Sequence, residues 1–356
     1  MKKIKIAQIA PIWYPLPPKK YAGVERIVTA LTNGLVEKGH KVTLFATGNT
    51  KTKAQLKFIR KKSLTEDKIP WADVFGELYH LSFVFKNLKN YDIAHFHTDL
   101  KTILFQDFTK TPTLYTIHHP LDKNQTIQIE ILKKYQNKLN FCFLSKSAKK
   151  LYPLKIKNSW VVYNGIDLNN FSFNPSPKDY LLWVGRIEPY KGVENAILAA
   201  KIARRKLFLL GKIDKEREGY FEKKIKPHLS EKIKYLGEFD QKKLSKIYQE
   251  AQAFLYPIEW PEPFGLVMAE AQACGTPVIV FNQGSASELV IHGKTGFVVP
   301  FLNEKGEKNI QGLVEAIKNI SSIKREDCRK HAEEKFSIKS MIENYEKIYY
   351  EILAKN

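Results

Sequence analysis

Short apolar runs alternate with amphipathic stretches along almost the whole chain, and that alternation breaks only once. Ile4–Ile9, Lys41–Ala46, Ile93–Phe96, Thr113–Ile117, Phe141–Leu144 and Trp160–Tyr163 read as strands. Val24–Lys38 has a helical period, with Ile27, Val28, Leu31 and Leu35 on one face and Gly39 just beyond its end. Strand, helix, strand in repetition predicts parallel sheets covered by helices, the α/β class. Between Asn169 and Asp179 the pattern gives way to Asn169, Asn170, Asn174, Pro175, Ser176 and Pro177, the composition of a linker.

The alternation then restarts. Tyr180–Val184, Leu207–Leu210, Ile233–Leu236, Ala253–Tyr256 and Pro277–Phe281 read as strands. Val193–Ala203, Gln241–Ala251, Gly265–Cys274, Ile310–Ile320 and Ile338–Leu353 read as helices. The expected organisation is residues 1–170, residues 171–338, and a terminal helix over 339–356 packing back on the first half. Two doubly wound halves predict ligand binding at the carboxyl ends of their strands, in a cleft between them.

Composition narrows the function classes. The 356 residues carry 58 Lys plus Arg against 37 Asp plus Glu, a net charge of +21. Of the cations 50 are Lys and 8 are Arg, so guanidinium forks for phosphate are scarce. The charge invites nucleic acid, an anionic membrane surface or an anionic substrate as partner. No alternation of aromatic and basic residues marks an RNA-binding strand, and nucleic acid is not expected. No run approaches the ~18 apolar residues of a membrane span. A cytoplasmic protein, peripheral on the inner face of the membrane at most, is expected. Cys142, Cys274 and Cys328 are too few and too scattered for a disulfide framework.

Two motifs carry chemistry. In Glu262-Pro263-Phe264-Gly265-Leu266-Val267-Met268-Ala269-Glu270 two carboxylates flank a glycine and an apolar run. With Pro263 at a helix start, the pair would lie ~12 Å apart along one helix. That is wider than the ~5–9.5 Å of a glycosidase acid/base pair. Two ends of one elongated ligand, or an ordinary amphipathic helix, would account for it. The N–H groups near Phe264, Gly265 and Leu266 would form an anion-binding helix terminus. In Trp183-Val184-Gly185-Arg186-Ile187-Glu188-Pro189-Tyr190-Lys191-Gly192 two cations sit in a strand-to-helix loop, placed to hold a diphosphate.

These motifs, taken in order with Ile6 to Glu25, Val162 to Asp167, Gly275-Thr276-Pro277-Val278 and Gly293 to Gly296, resemble the retaining, nucleotide-sugar-dependent glycosyltransferases of family 4. The resemblance implies the GT-B fold, two Rossmann-like domains facing across a cleft. It implies that the first domain binds the acceptor and the second the nucleotide sugar. Arg186 and Lys191 would neutralise the donor diphosphate and Glu262 would hydrogen-bond the sugar. Phe264, Gly265 and Leu266 would offer backbone N–H groups, and Glu270 would hold the ribose. His118, in Thr116-Ile117-His118-His119-Pro120, falls beside the reacting sugar. Gly23 opens a helix where donor phosphate approaches. The family's usual Gly-Gly pair is here Ala22-Gly23, a strained substitution if that position needs a positive φ. With no D-x-D run, no metal and no cofactor beyond the nucleotide-sugar co-substrate are expected. The first-choice donor is a UDP-hexose and the next GDP-mannose. A sugar-nucleotide epimerase on the same fold is a lesser alternative.

His95 and His97 alternate on a strand end and so share a side, with His97 a candidate for the acceptor site. The charge is also divided unevenly. Residues 1–170 hold 28 cations against 12 anions, net +16, and residues 171–356 hold 30 against 25, net +5. Lys51, Lys53, Lys57, Arg60, Lys61 and Lys62 cluster in the first half. This favours an acceptor that is anionic, such as a cell-envelope glycan or a lipid-linked sugar at an anionic membrane.

Overall fold

The computed structural model describes residues 2–18, 22–121 and 124–355. Backbone contacts divide it into two units, residues 1–165 with 338–356 and residues 166–337. The first holds seven strands: β1 (Lys5–Ile9), β2 (Lys41–Phe45), β3 (Gln55–Lys57), β4 (Ile93–Phe96), β5 (Thr113–Ile117), β6 (Asn140–Phe143) and β7 (Asn158–Val161). Their order is β3-β2-β1-β4-β5-β6-β7, and every pairing is parallel. The second unit holds β8 (Leu181–Val184), β9 (Leu207–Leu210), β10 (Ile233–Tyr235), β11 (Ala253–Tyr256), β12 (Val278–Phe281) and β13 (Gly296–Val299). Their order is β10-β9-β8-β11-β12-β13, again all parallel. In each sheet the winding reverses once, between β1 and β4 and between β8 and β11. Loops leaving the carboxyl ends of those strands form the crevice where such sheets bind ligands.

The two faces of the first sheet differ in chemistry. Ala7, Ile9, Phe45, Ala94, Phe96, Tyr115, Phe141 and Phe143 lie in one apolar cluster. Residues one step along the same strands, Gln8, His95, Thr116 and Cys142, are buried on the other side. Helix Ile338–Leu353 covers that side, burying Tyr345, Ile348, Tyr349 and Ile352, and it also packs on helix Gly23–Glu37. Its Glu346 accepts hydrogen bonds from Lys38 and His40.

Several elements were not foreseen. The three-residue β3 and the helices Phe75–Lys86, Thr126–Tyr135 and Arg325–Lys335 lack a clean apolar period. Arg325 is buried, and its guanidinium donates to the carbonyls of Asn174, Gln249, Ala251 and Cys274 and to the Thr276 hydroxyl. This cation is satisfied without a carboxylate, so no charge pattern announces it. All three thiols are buried and pushed up to about 12 by loss of solvent, which keeps them unreactive. Among the described residues no helix is long and apolar enough to cross a membrane.

Candidate active site

In the second unit the loops after β8 and β11 meet. Arg186, two residues beyond β8, is exposed and makes no ion pair among the described residues. Gly192 then turns the chain into helix Val193–Ile202 with φ +72°, and a Cβ there would sit 1.8 Å from the Pro257 carbonyl oxygen. Only glycine permits that approach. It carries Lys191 to the loop after β11, where Lys191 Nζ lies 2.6 Å from Glu262 Oε2. The same oxygen accepts from Trp260 Nε1 at 3.1 Å and the Tyr256 hydroxyl at 3.3 Å. Nζ also stands 4.8 Å from the centre of the Trp260 ring, a cation–π contact. Arg186 thus supplies the unneutralised positive charge, while Lys191 and Glu262 hold each other in place.

The structure corrects the reading of Glu262 and Glu270 as two points on one helix. The helix is Leu266–Ala273, so Glu262 and Pro263 precede it. Its N-cap is Gly265 in the left-handed region, φ +82°, with no side chain capping the first turn. The ~12 Å helical spacing therefore does not apply. The segment from Glu262 to Phe264 is held from the following loop. Ser285 N donates to the Glu262 carbonyl at 3.0 Å and Ser285 Oγ to the Phe264 carbonyl at 2.6 Å. Phe264 and Leu266 are buried, and Glu270, one turn into the helix, has no accessible surface.

In the first unit the structure brings His97 and His118 together. His97 follows β4, which borders the reversal, and His118 follows β5, the next strand of the sheet. His97 Nδ1 is 3.0 Å from His118 Nε2, and His97 Nε2 is 3.1 Å from Gln8 Oε1. Gln8 Nε2 donates to the Tyr349 hydroxyl at 2.8 Å, and that hydroxyl is 2.7 Å from His95 Nδ1. His95 Nε2 is 2.7 Å from Thr116 Oγ1, which is 3.0 Å from the Tyr345 hydroxyl. Burial, then the neighbouring rings, holds all three histidines well below their usual range, so they are neutral at pH 7. His119 is exposed.

Gly23 opens helix Gly23–Glu37, as expected from the sequence. Ala22 before it has φ −146°, ordinary extended backbone, so replacing glycine there carries no conformational strain. Glu25, two residues on, is buried, and loss of solvent raises its carboxyl above the usual range. Sequence reasoning passed over Gln8, Tyr349, Tyr256 and Trp260. The only available signal for Gln8 was an amide within an otherwise apolar first strand.

The basic cluster is partly committed elsewhere. Lys53 pairs with Glu37 and Arg60 with Asp67, and Lys57 stands over the rings of Phe45 and Tyr91. Lys51, Lys61 and Lys62 are exposed. So are Trp71, Phe75 and Tyr79, the last two on one side of helix Phe75–Lys86.

Two parallel doubly wound sheets, the second with two cations and a helix start without a side-chain cap in the loops beside its reversal, are the arrangement to be matched. Comparison with known proteins makes the class specific. Residues 21–170 match the family model for Glycosyltransferase Family 4, and residues 167–335 the model for Glycosyl transferases group 1. The chain is a glycosyltransferase of GT-B fold and belongs with the family 4-like enzymes. It is 32% identical over 200 residues to an uncharacterized 41.2 kDa protein in the cps region of Klebsiella pneumoniae, covering 53% of this chain and 54% of that one. The match thus spans about half that relative's length. An uncharacterized glycosyltransferase of Methanocaldococcus jannaschii is 25% identical, covering 82% of this chain and 85% of that protein. Among solved structures, Anabaena HepE in complex with UDP and glucose superposes with a TM-score of 0.74 at 19% identity, covering 97% of this chain and 98% of that one.

Proposed function

We propose that this glycosyltransferase is a retaining hexosyltransferase that moves a hexose from a UDP-sugar to a hydroxyl acceptor in glycan assembly. The observation that carries the reading is the site after β8 and β11. Arg186 is an exposed guanidinium without an ion pair among the described residues, Lys191 is fixed by Glu262 and Trp260, and the helix from Leu266 starts without a side-chain cap. Departure of a nucleoside diphosphate builds negative charge on the leaving oxygen. A preorganised cation and free helical N–H groups stabilise that charge without a metal. UDP is favoured as the nucleotide because the HepE structure of like fold holds it.

In this reading Glu262 hydrogen-bonds the sugar hydroxyls and Glu270 the ribose, which requires the covering segment to open over a carboxyl that is now fully buried. His118 is a neutral hydrogen-bonding partner of the reacting sugar. The acceptor oxygen bonds to the anomeric carbon as the carbon–phosphate-oxygen bond breaks. The acceptor's proton passes to the leaving phosphate on the same face, so configuration is retained. Release of UDP only when an acceptor is added, with NMR of the product anomer, tests the proposal. An inverted product removes it.

The excess charge of the first half fits an anionic acceptor or membrane. Exposed Lys51, Lys61 and Lys62, with Trp71, Phe75 and Tyr79, have the mixed basic and aromatic character of a peripheral membrane contact. Co-sedimentation with phosphatidylserine-containing vesicles but not with phosphatidylcholine vesicles is the expected outcome.

A further inference from the structure

The buried polar face of the first sheet has a direction, and that direction ends at His118. An amide oxygen only accepts, so the contact of His97 Nε2 with Gln8 Oε1 requires the proton on Nε2. Neutral His97 then has a bare Nδ1, which accepts from His118 Nε2–H. On the other side of Gln8 the amide N–H fills one acceptor site of the Tyr349 hydroxyl, whose own proton goes to His95 Nδ1. His95 Nε2–H donates to the Thr116 hydroxyl, which lies 3.0 Å from the Tyr345 hydroxyl. The line ends at two hydroxyls that can turn, so its direction is set by the Gln8 carboxamide. Each donor is therefore followed by an acceptor along one line, and the Gln8 carboxamide is the link that joins its two arms.

We infer that Gln8 is a positioning residue that fixes, through His97, the tautomer of His118 in which Nε2 carries the proton and Nδ1 is a bare acceptor. Turning the Gln8 amide by half a rotation would reverse every bond up to His118, leaving Nδ1–H as a donor. A neutral histidine with a bare Nδ1 takes a hydrogen bond from a hydroxyl, and with Nδ1–H it gives one. The choice decides which partner of the reaction His118 can serve. This inference rests on the transferase reading only for its kinetic consequence.

The test is two-bond 1H–15N spectroscopy of protein labelled with 15N-histidine, with His118→Gln used to assign that ring. The expected wild-type signal is an Nε2–H ring for both His97 and His118 at pH 7.5. An Nδ1–H ring at His118 in the wild type overturns the inference without any variant at Gln8. In Gln8→Leu the buried Nε2–H of His97 loses its acceptor. Its proton then moves to Nδ1, where His118 Nε2 can accept it, and His118 switches to Nδ1–H. Gln8→Glu keeps an acceptor oxygen for His97 and restores the Nε2–H ring at His118. In a transferase assay Gln8→Leu lowers kcat about tenfold, the rate equivalent of one neutral hydrogen bond, with KM for the donor unchanged. An Nε2–H ring at His118 in Gln8→Leu sinks the positioning role. If the tautomers behave as stated while no UDP-hexose is turned over, the functional reading fails and the relay stands.

Discussion

Each unit carries one polar constellation at the carboxyl ends of its strands, and the two are held by opposite means. The one after β8 and β11 is charged, with a Lys–Glu pair clasped by Trp260 and Tyr256 and an open guanidinium nearby. The one after β4 and β5 is neutral, a file of histidines, hydroxyls and one carboxamide on the buried side of a sheet. Charge suits the part of a sugar nucleotide that leaves as a diphosphate. Neutral, directional groups suit hydroxyls, whose orientation matters more than their field. The contrast also makes the two constellations vulnerable to different perturbations.

The largest effect falls on the charged one. Arg186→Ala lowers kcat by ~10²–10³, the usual loss on removing one preorganised donor from a developing anion. The circular dichroism spectrum should not change, because the side chain is exposed. Near wild-type turnover would break the division of labour between the two constellations.

Acid tests the neutral one. Burial depresses His95, His97 and His118 in the fold, so below the unfolded value of about 6.5 the unfolded chain binds more protons than the native one. Stability is full above that pH and declines as pH falls. The loss is about 1.4 kcal/mol per histidine by pH 5.5, or about 4 kcal/mol for the three. His80, held down to about 4 by burial, adds to it. Hydrogen exchange at pH 7.5 and 5.5 should show the first unit losing protection before the second. Equal loss in both units would erase the comparison.

A charge buried without a counter-ion provides a control inside the second unit. Arg325→Met leaves carbonyls around the linker and helix Leu266–Ala273 without their donor. A loss of about 2–3 kcal/mol in urea unfolding is expected. The smallest effect belongs to Glu346→Gln. Burial raises the Glu346 carboxyl, but the hydrogen bonds from Lys38 and His40 outweigh it and leave the group below its usual range. Its contribution of about 1 kcal/mol is present above the unfolded carboxylate value of about 4.5 and fades as pH falls through the lower native value. The difference between variant and wild type should therefore shrink steadily as pH is lowered from about 4.5.

The strands beside each reversal were legible because burial on both faces makes parallel strands continuous apolar runs. Arg186, Lys191 and Glu262 stand out in two short motifs, and His118 is marked only by the resemblance to family 4. Helix Leu266–Ala273 was read too long at its start, because Pro263 signals a helix while Gly265, with φ +82°, delays it. Helix Phe75–Lys86 was missed because Phe75 and Tyr79 are exposed aromatics that spoil its period.

Sequence alone determined the α/β class, the parallel sheets and the family, because these follow from the period of burial and the order of motifs. Tertiary structure decided the partners. Lys191 reaches Glu262 across 71 positions, and Gln8 reaches Tyr349 across 341. Local spacing carries no trace of such pairings, since the sheet order and the returning terminal helix create them only when the chain has folded.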